Sequence, residues 1–145
     1  MFFTDITNSS SIPVLDAMLS FTQAHHRVLA ENIANIDTPG YQTQHLDPKQ
    51  FQKALAKAVA ERNDTRSTAL RIESGRQFEQ QPGGGLEFKP SVEPAENVLF
   101  HDKTNARIER QMSLLAENAM MYQTATELLM GKYEGLMQAI RGRVT

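Results

Sequence analysis

The last third of the chain carries a long apolar stripe at the spacing of an α-helix. Alternating steps of four and three residues from position 108 pick out ten positions, of which nine are apolar or aromatic. They are Ile108, Met112, Leu115, Ala119, Tyr122, Thr126, Leu129, Tyr133, Leu136 and Ile140. This pattern predicts a helix roughly 50 Å long, over residues 108–142, that lies against other helices. The polar residues between these positions, among them Gln111 and Asn118, are predicted to form a solvated face.

The stripe has two interpretations. The first is a core helix of a small bundle within one subunit, and the second is an assembly helix whose partners come from other chains. Gly131 and Gly135 lie near the end of this helix, where each costs about 1 kcal/mol relative to alanine. They fit either the close approach of another backbone or a looser end of the helix.

A second apolar stripe follows a polar segment, residues 1–12, that we expect to be a flexible lead-in. Pro13 suits the first turn of the helix. Its stripe consists of Val14, Leu15, Met18, Phe21, Val28, Leu29, Ile33 and Ile36. Thr22, His25 and Asn32 interrupt the stripe with polar groups, each costing about 1–3 kcal/mol if buried without a partner. They indicate either hydrogen bonds between helices or a solvated edge, and we favour the solvated edge.

The first helix and the turn after it occupy residues 13–41 in this interpretation. The helix is predicted to end near Asp37, because Pro39 disfavours helical geometry at the residue before it. The sequence Thr38-Pro39-Gly40-Tyr41 then places proline and glycine at the central positions of a type II turn.

A shorter helix is predicted within residues 42–64, with Asp47 as its cap and Pro48 in its first turn. Its buried stripe consists of Phe51, Leu55 and Val59. The following segment, residues 65–107, is rich in glycine and proline and cannot bury a core of its own, so it docks on the helices or on a neighbour.

Two pieces of the middle segment, Leu70–Glu73 and Leu86–Phe88, alternate in polarity. They form either a small β-hairpin or an extended loop. Asp102 or Thr104 is the candidate cap of the long C-terminal helix.

Composition and motifs exclude several classes of function. A net charge of −2 over 145 residues gives no reason to expect nucleic acid or an anionic membrane as a partner. The chain has no cysteine, no run of membrane-spanning length and no features of a cleavable signal peptide at its start. The four histidines lack the spacing of a helical metal site. We therefore expect no enzyme, cofactor or small-molecule substrate; an enzyme using His25 or His26 would need an unexpected metal.

The segment Leu29–Tyr41 is far more specific than these patterns. It fills every fixed position of the signature Leu-Ala-x-Asn-(Ile/Leu)-Ala-Asn-x-x-Thr-Pro-Gly-Tyr of flagellar rod and hook proteins. The signature residues are Asn32, Ala34, Asn35, Thr38, Pro39, Gly40 and Tyr41. The C-terminal stripe is similar to the matching terminal helix of that family. The chain thus resembles the flagellar basal-body rod proteins, and its short length makes it most similar to those of the proximal rod.

This resemblance implies a structural subunit of the bacterial flagellar basal-body rod, the axial shaft that transmits torque. Such subunits travel unfolded through the flagellum's own type III export channel and assemble in the periplasm. The expected partners are copies of this chain, other rod proteins and the export-gate adaptor protein FliE, with no nucleic acid. Without the signature, the two stripes would suit a self-contained helical adaptor or chaperone-like binding protein equally well.

The expected fold is mainly α. The N- and C-terminal helices pair as an extended antiparallel, coiled-coil-like hairpin, accompanied by a short third helix and an irregular or β-hairpin middle segment. Asn32 and Asn35 are expected to bond free carbonyls at the helix end or the following loop. The residues expected at the assembly interface are Leu15, Met18, Leu29, Ile33, Ile36, Ile108, Met112, Leu115, Tyr122, Leu129, Tyr133, Leu136 and Ile140.

Overall fold

The computed structural model describes residues 11–67, 69–92 and 103–142, with the backbone alone for residues 103–107. The chain is mainly helical, as predicted. In chain order the elements are α1 (Ile12–Ala34), β1 (Gln44–His45), α2 (Pro48–Thr65), β2 (Phe78–Gln80), β3 (Leu86–Phe88), β4 (Ser91–Val92) and α3 (Lys103–Arg141). No helix among the described residues has the length and apolarity needed to cross a membrane.

Helices α1 and α3 form the long axis of the molecule and run in opposite directions. Asn32 near the end of α1 contacts Gln111 near the start of α3, and His25, one heptad earlier in α1, contacts Asn118, one heptad later in α3. The two helices differ in length, because α1 has 23 residues and α3 has 39. At 1.5 Å per residue, α3 is longer than α1 by roughly 24 Å.

The beginnings of these two helices differ in part from the expectation. Ser11 occupies the cap position of α1 without a side-chain capping bond, and Pro13 lies in the first turn. Helix α3 already includes Thr104, so this residue is not its cap, and the other candidate, Asp102, lies outside the described residues. The lead-in predicted for residues 1–12 also lies outside them, apart from the last two residues.

Helix α2 follows the predicted local signals closely. The Asp47 side chain accepts a hydrogen bond of 2.9 Å from the Lys49 amide, and Pro48 is the first helical residue. Phe51 and Leu55 are buried, as predicted, whereas Val59 is only half-buried and Ala58 is buried beside it. The helix ends at Thr65, later than expected, where Arg66 adopts a left-handed conformation with φ 49°.

A cluster of aromatic rings joins α1, α2 and the middle segment. The rings of Phe21 and Phe51 stack with their centroids 4.5 Å apart and an angle of 7° between planes. Phe78 of β2 meets Phe51 edge-on at 5.6 Å, and Phe88 of β3 meets the same ring at 5.8 Å. Aromatic pairs in such arrangements contribute about 0.5–1.5 kcal/mol beyond their burial. The middle segment therefore docks on the helices of its own subunit.

The β-hairpin forms, but with a different partner strand from the one predicted. Leu86–Phe88 pairs antiparallel with Phe78–Gln80, not with Leu70–Glu73. This register brings Phe78 opposite Phe88, so that both rings reach Phe51. The Gln80 side chain instead bonds the Leu70 carbonyl and the Ile72 amide at 3.2 and 2.8 Å, which holds that piece without a strand ladder. A second short ladder pairs β1 with β4.

Candidate assembly surface

The most deeply buried positions of α3, on the face that meets α1, carry polar and small side chains, and half-buried Leu115 and Leu129 lie beside them. Gln111, Asn118 and Ala125, seven residues apart, are 6%, 1% and 1% exposed. The predicted solvated face was therefore wrong at Gln111 and Asn118. The buried positions 111, 118 and 125 each come one residue before a position of the apolar stripe (112, 119 and 126). One residue corresponds to a rotation of about 100° around the helix axis.

Asn118 joins the two helices through both ends of its amide. Its Nδ2 donates to the Thr22 carbonyl at 2.9 Å, and its Oδ1 lies 3.2 Å from His25 Nδ1. Because an amide oxygen only accepts, His25 Nδ1 carries a hydrogen and donates it. The Thr22 hydroxyl donates to the Leu19 carbonyl at 3.0 Å. The solvated edge favoured for Thr22 and His25 is thus wrong, since both are buried and bonded.

The pKa of His25 is lowered from its ordinary value of 6.5. Burial is the main cause, because it disfavours the charged imidazolium. His45 also lowers this pKa, whereas the bond to Asn118 and the charge of Glu117 oppose the shift. The imidazole is therefore neutral at neutral pH, which agrees with its role as a donor to Asn118.

Asn32 of the signature is the second polar junction, and it is 2% exposed. Its Nδ2 donates to the Gln44 carbonyl at 2.7 Å and to Gln111 Oε1 at 3.3 Å. Its Oδ1 accepts from the Gln44 amide at 2.9 Å and from the Tyr41 hydroxyl at 3.0 Å. One amide side chain thus connects α1, α3 and the chain returning from the turn. Partial burial, and then the charge of Glu31, raise the pKa of Tyr41.

The remaining signature residues shape the turn after α1, which ends at Ala34, three residues before the predicted end. Asn35 Nδ2 donates to the Glu31 carbonyl at 2.9 Å, and the same carbonyl accepts from the Asn35 backbone amide at 3.1 Å. The Tyr41 amide donates to the Thr38 carbonyl at 3.2 Å, and Gly40 has φ +78°. These are the features of the predicted type II turn, and only glycine adopts that φ readily. Pro39 lies exposed at the other central position.

The residues expected at the assembly interface divide into three groups by burial. Leu15 and Leu29 are in the core of the subunit, at 7% and 3% exposure. Half-buried are Met18, Ile33, Ile36, Ile108, Leu115, Leu129 and Leu136. Exposed are Met112, Tyr122, Tyr133 and Ile140, all of them on α3.

Four further large apolar residues of α3 are exposed and were not among the predicted interface residues: Met120, Leu128, Met130 and Met137. Met130 and Met137 lie on the same face as Met112 and Tyr133, so a wider apolar arc in the helical projection would have included them. We call the exposed apolar residues Met112, Tyr122, Met130, Tyr133, Met137 and Ile140 the outer stripe. Gly131 and Gly135 have open space where a Cβ would lie, so no contact within the subunit requires glycine there.

The buried polar side chains of the described residues take part in hydrogen bonds within the subunit. No group of His, Asp or Glu side chains among them could hold a metal ion. Every buried polar side-chain atom in the described part of the chain has a hydrogen-bond partner. The feature that remains unexplained within one subunit is the outer stripe.

Comparison with known proteins indicates the family of this chain. Residues 19–42 match the family model described as flagella basal body rod protein. The FlgB basal body rod protein of Escherichia coli K12 is 30% identical over 139 residues, covering 88% of this chain and 95% of that protein. The FlgB proteins of Salmonella typhimurium and Aquifex aeolicus are 29% and 28% identical, covering 96% and 88% of their own lengths.

The chain belongs to the FlgB family of flagellar basal body rod proteins. It is accordingly a structural subunit of the rod in the basal body and not an enzyme, and it assembles with other rod proteins. These relatives give no support to the self-contained adaptor. The family model covers α1 from Leu19 onward and the signature turn, including Asn32 and Tyr41.

Proposed function

We propose that this subunit is completed by its neighbours in the rod, through the outer stripe of α3. The observation that supports this proposal is the exposure of the stripe: Met112, Met130, Tyr133, Met137 and Ile140 are between 49% and 62% exposed. Exposed clusters of large apolar side chains often mark surfaces that bind a partner. Burying a methionine, tyrosine or isoleucine side chain fully is worth about 1.5–3 kcal/mol, so several such residues can drive association.

Helices α1 and α3 act together as the assembly unit in this proposal. Their contacts at Asn32–Gln111 and His25–Asn118 repeat every seven residues on both helices, which supports coiled-coil-like packing. Half-buried Ile33 in α1, Ile36 in the turn after α1 and Leu136 in the free end of α3 extend the surface offered to neighbours. The neighbours are further copies of this chain, other rod proteins and the adaptor FliE.

The signature turn sets the direction of the chain after α1. Asn32 ties the returning strand β1 to both helices, and the type II turn at Thr38–Tyr41 reverses the chain in four residues. A rod subunit needs such a fixed exit, because α2 and the β-hairpin must be held to one side of the helical pair. There they would make the lateral contacts of the assembled rod.

Export in an unfolded state fits the composition of the chain. It has no cysteine, so no disulfide hinders unfolding. Its long helices gain part of their burial only when neighbours are present, which couples their ordering to assembly. The chain would therefore pass through the flagellar type III channel and order in the periplasmic rod.

Complementation in a motile host lacking the gene tests the role of the outer stripe. Tyr133→Glu places a charge in the stripe and is expected to abolish swimming and rod formation. Gln138→Glu introduces the same charge at an exposed position of the same helix, on another face, and should support normal swimming. Circular dichroism of both purified chains checks that neither substitution unfolds the subunit. Normal swimming with Tyr133→Glu would contradict the proposal.

Limited proteolysis of the isolated chain tests the coupling of ordering to assembly. At micromolar concentration, we expect α3 to be cleaved within residues 130–141 well before the aromatic cluster is. Full protease resistance of both long helices in the dilute monomer would refute the coupling.

A further inference from the structure

A cavity of about 440 Å³ opens between the three helices. Its walls are the apolar side chains Val14 and Met18 of α1, Phe51, Leu55 and Val59 of α2, and Met121 of α3. Thr22 and Gln52 also line it. A cavity with these walls favours an apolar occupant, because a water molecule inside it would have few hydrogen-bond partners.

The end of α3 presents an apolar surface of the complementary kind. Tyr133, Met137 and Ile140 are spaced i, i+4 and i+7, so they share one face, and they are 49%, 49% and 62% exposed. Helix α1 does not reach them. The two helices are antiparallel and His25 faces Asn118, so Ile12, thirteen residues before His25, lies level with Gly131, thirteen residues after Asn118. Because α1 begins at Ile12, residues 133–141 of α3 extend beyond it.

These two surfaces cannot meet within one subunit. Met121 lines the cavity and Met137 lies in the free end, and both belong to the single uninterrupted helix α3. Sixteen residues of α-helix separate them by roughly 24 Å. The end of α3 therefore cannot fill the cavity of its own subunit.

The dimensions of the two surfaces agree. From Tyr133 to Ile140 a helix advances roughly 10.5 Å, and the α2 wall from Phe51 to Val59 is roughly 12 Å long. Anchors at i, i+4 and i+7 that enter an apolar groove are a common mode of helix recognition. We propose that the end of α3 of one copy docks in the cavity between α1 and α2 of a second copy.

Charges beside the two surfaces agree with this pairing. Lys49 and Lys53 are exposed on α2, next to the cavity wall formed by Gln52. Glu127, Glu134 and Arg141, one heptad apart, are exposed along one side of the apolar face of the α3 end, so that side carries a net charge of −1. In the docked pair, Glu134 lies towards the basic rim of the other copy, which favours one orientation of the helix.

A contact of this kind is heterologous, because the donor and the acceptor are different surfaces of the same chain. Each docked copy still has a free donor or acceptor, so the contact continues into a ring or a helical array rather than stopping at a dimer. The inference rests on the proposed function and names a second copy as the partner of the last part of the outer stripe.

Disulfide trapping in assembled basal bodies tests the docking. The natural chain has no cysteine, so introduced thiols are the only ones present. A motile host lacking the gene would co-express two single variants, Gln52→Cys at the cavity and Met137→Cys on the α3 end. Oxidation should link the two chains into a dimer on a non-reducing gel, and each variant alone should give several-fold less. Gln138→Cys, paired with Gln52→Cys, is the matched control and should also give several-fold less dimer.

Two results would overturn the docking. One is a yield of the Gln52–Met137 dimer no higher than that of the Gln138 control in swimming cells. The other is a disulfide within one chain that carries both Phe3→Cys and Gln52→Cys, since the occupant would then be the N-terminal segment. If either occurs while Tyr133→Glu still stops swimming, the docking is refuted and the proposed function stands. If Tyr133→Glu cells swim normally, the proposed function itself falls.

Discussion

The two faces of α3 reverse the usual distribution of side chains in a surface helix. The face against α1 carries Gln111 and Asn118, which are almost completely buried. In the outer stripe, Met112 and Met130 are exposed beside this face, and Tyr133, Met137 and Ile140 are exposed beyond the start of α1. In a self-sufficient subunit, hydrogen-bonding side chains would face water and the methionines would face α1. The difference teaches that contacts within the subunit and contacts between subunits use different chemistry on one helix.

Polar contacts suit the inner face because they determine alignment. A shift of α3 along α1 would leave the buried amide of Asn118 without its hydrogen-bond partners, which costs free energy. An apolar side chain could instead make new contacts after such a shift. A single buried asparagine is known to specify register in coiled coils. Apolar contacts suit the outer face, because they gain free energy from burial without demanding one geometry.

Asn118→Ala should have the largest effect of the substitutions that test this comparison. It leaves the His25 Nδ1 hydrogen buried without a partner and removes the second hydrogen bond to the Thr22 carbonyl, so it should lower the free energy of unfolding by roughly 1–3 kcal/mol. Urea denaturation of the isolated chain, followed by circular dichroism, measures it. Ser113→Ala, at an exposed position of α3, is the control and should change stability by at most about 0.5 kcal/mol. Equal stability of Asn118→Ala and the natural chain would break the comparison.

Acidification should lower the free energy of unfolding by less than Asn118→Ala does, because it affects His25 on the face between α1 and α3. The pKa of His25 is lower in the folded chain than its ordinary value of 6.5, so the unfolded chain binds the proton more readily. The stabilisation by neutral His25 is complete above pH 6.5 and is lost as the pH falls from 6.5 towards the folded pKa. Urea denaturation at pH 7.5 and 5.5 measures it.

Variants of the two adjacent histidines isolate this effect. His25→Gln keeps a donor near Asn118 but cannot titrate in this range, so it should lose part of the dependence on pH. His26→Gln, at an exposed position, should keep the full dependence. The same pH profile for all three chains would show that His25 does not titrate on unfolding.

Met112→Ala should have the smallest effect on the isolated subunit. Met112 is 54% exposed and lies next to buried Gln111, yet its side chain faces away from α1. We expect the free energy of unfolding to change by at most about 0.5 kcal/mol, as at most surface positions. Denaturation under the same conditions as for Asn118→Ala measures the contrast. A loss as large as that of Asn118→Ala would mean that the outer stripe is packed within the subunit.

Features that depend on neighbouring residues in the chain were predictable from the sequence alone. The cap at Asp47, the type II turn with Gly40 and the existence of the three helices follow from steric and hydrogen-bonding rules within a few residues. The signature Leu29–Tyr41 was sufficient to indicate the family. Local rules act in every conformation of the chain, so a pattern in the sequence reveals them.

Features that depend on distant residues were decided by the tertiary structure. The stripe on α3 predicts a helix with an apolar side, but the partner α1 determines which part of that side is buried, and it selected the neighbouring seam through Asn118. Phe78 rather than Leu70 pairs with Leu86–Phe88, because the ring of Phe51 lies where Phe78 can reach it. Burial of a polar side chain is favourable only when its partner is positioned by the fold, and such partners lie up to 96 residues away in the sequence.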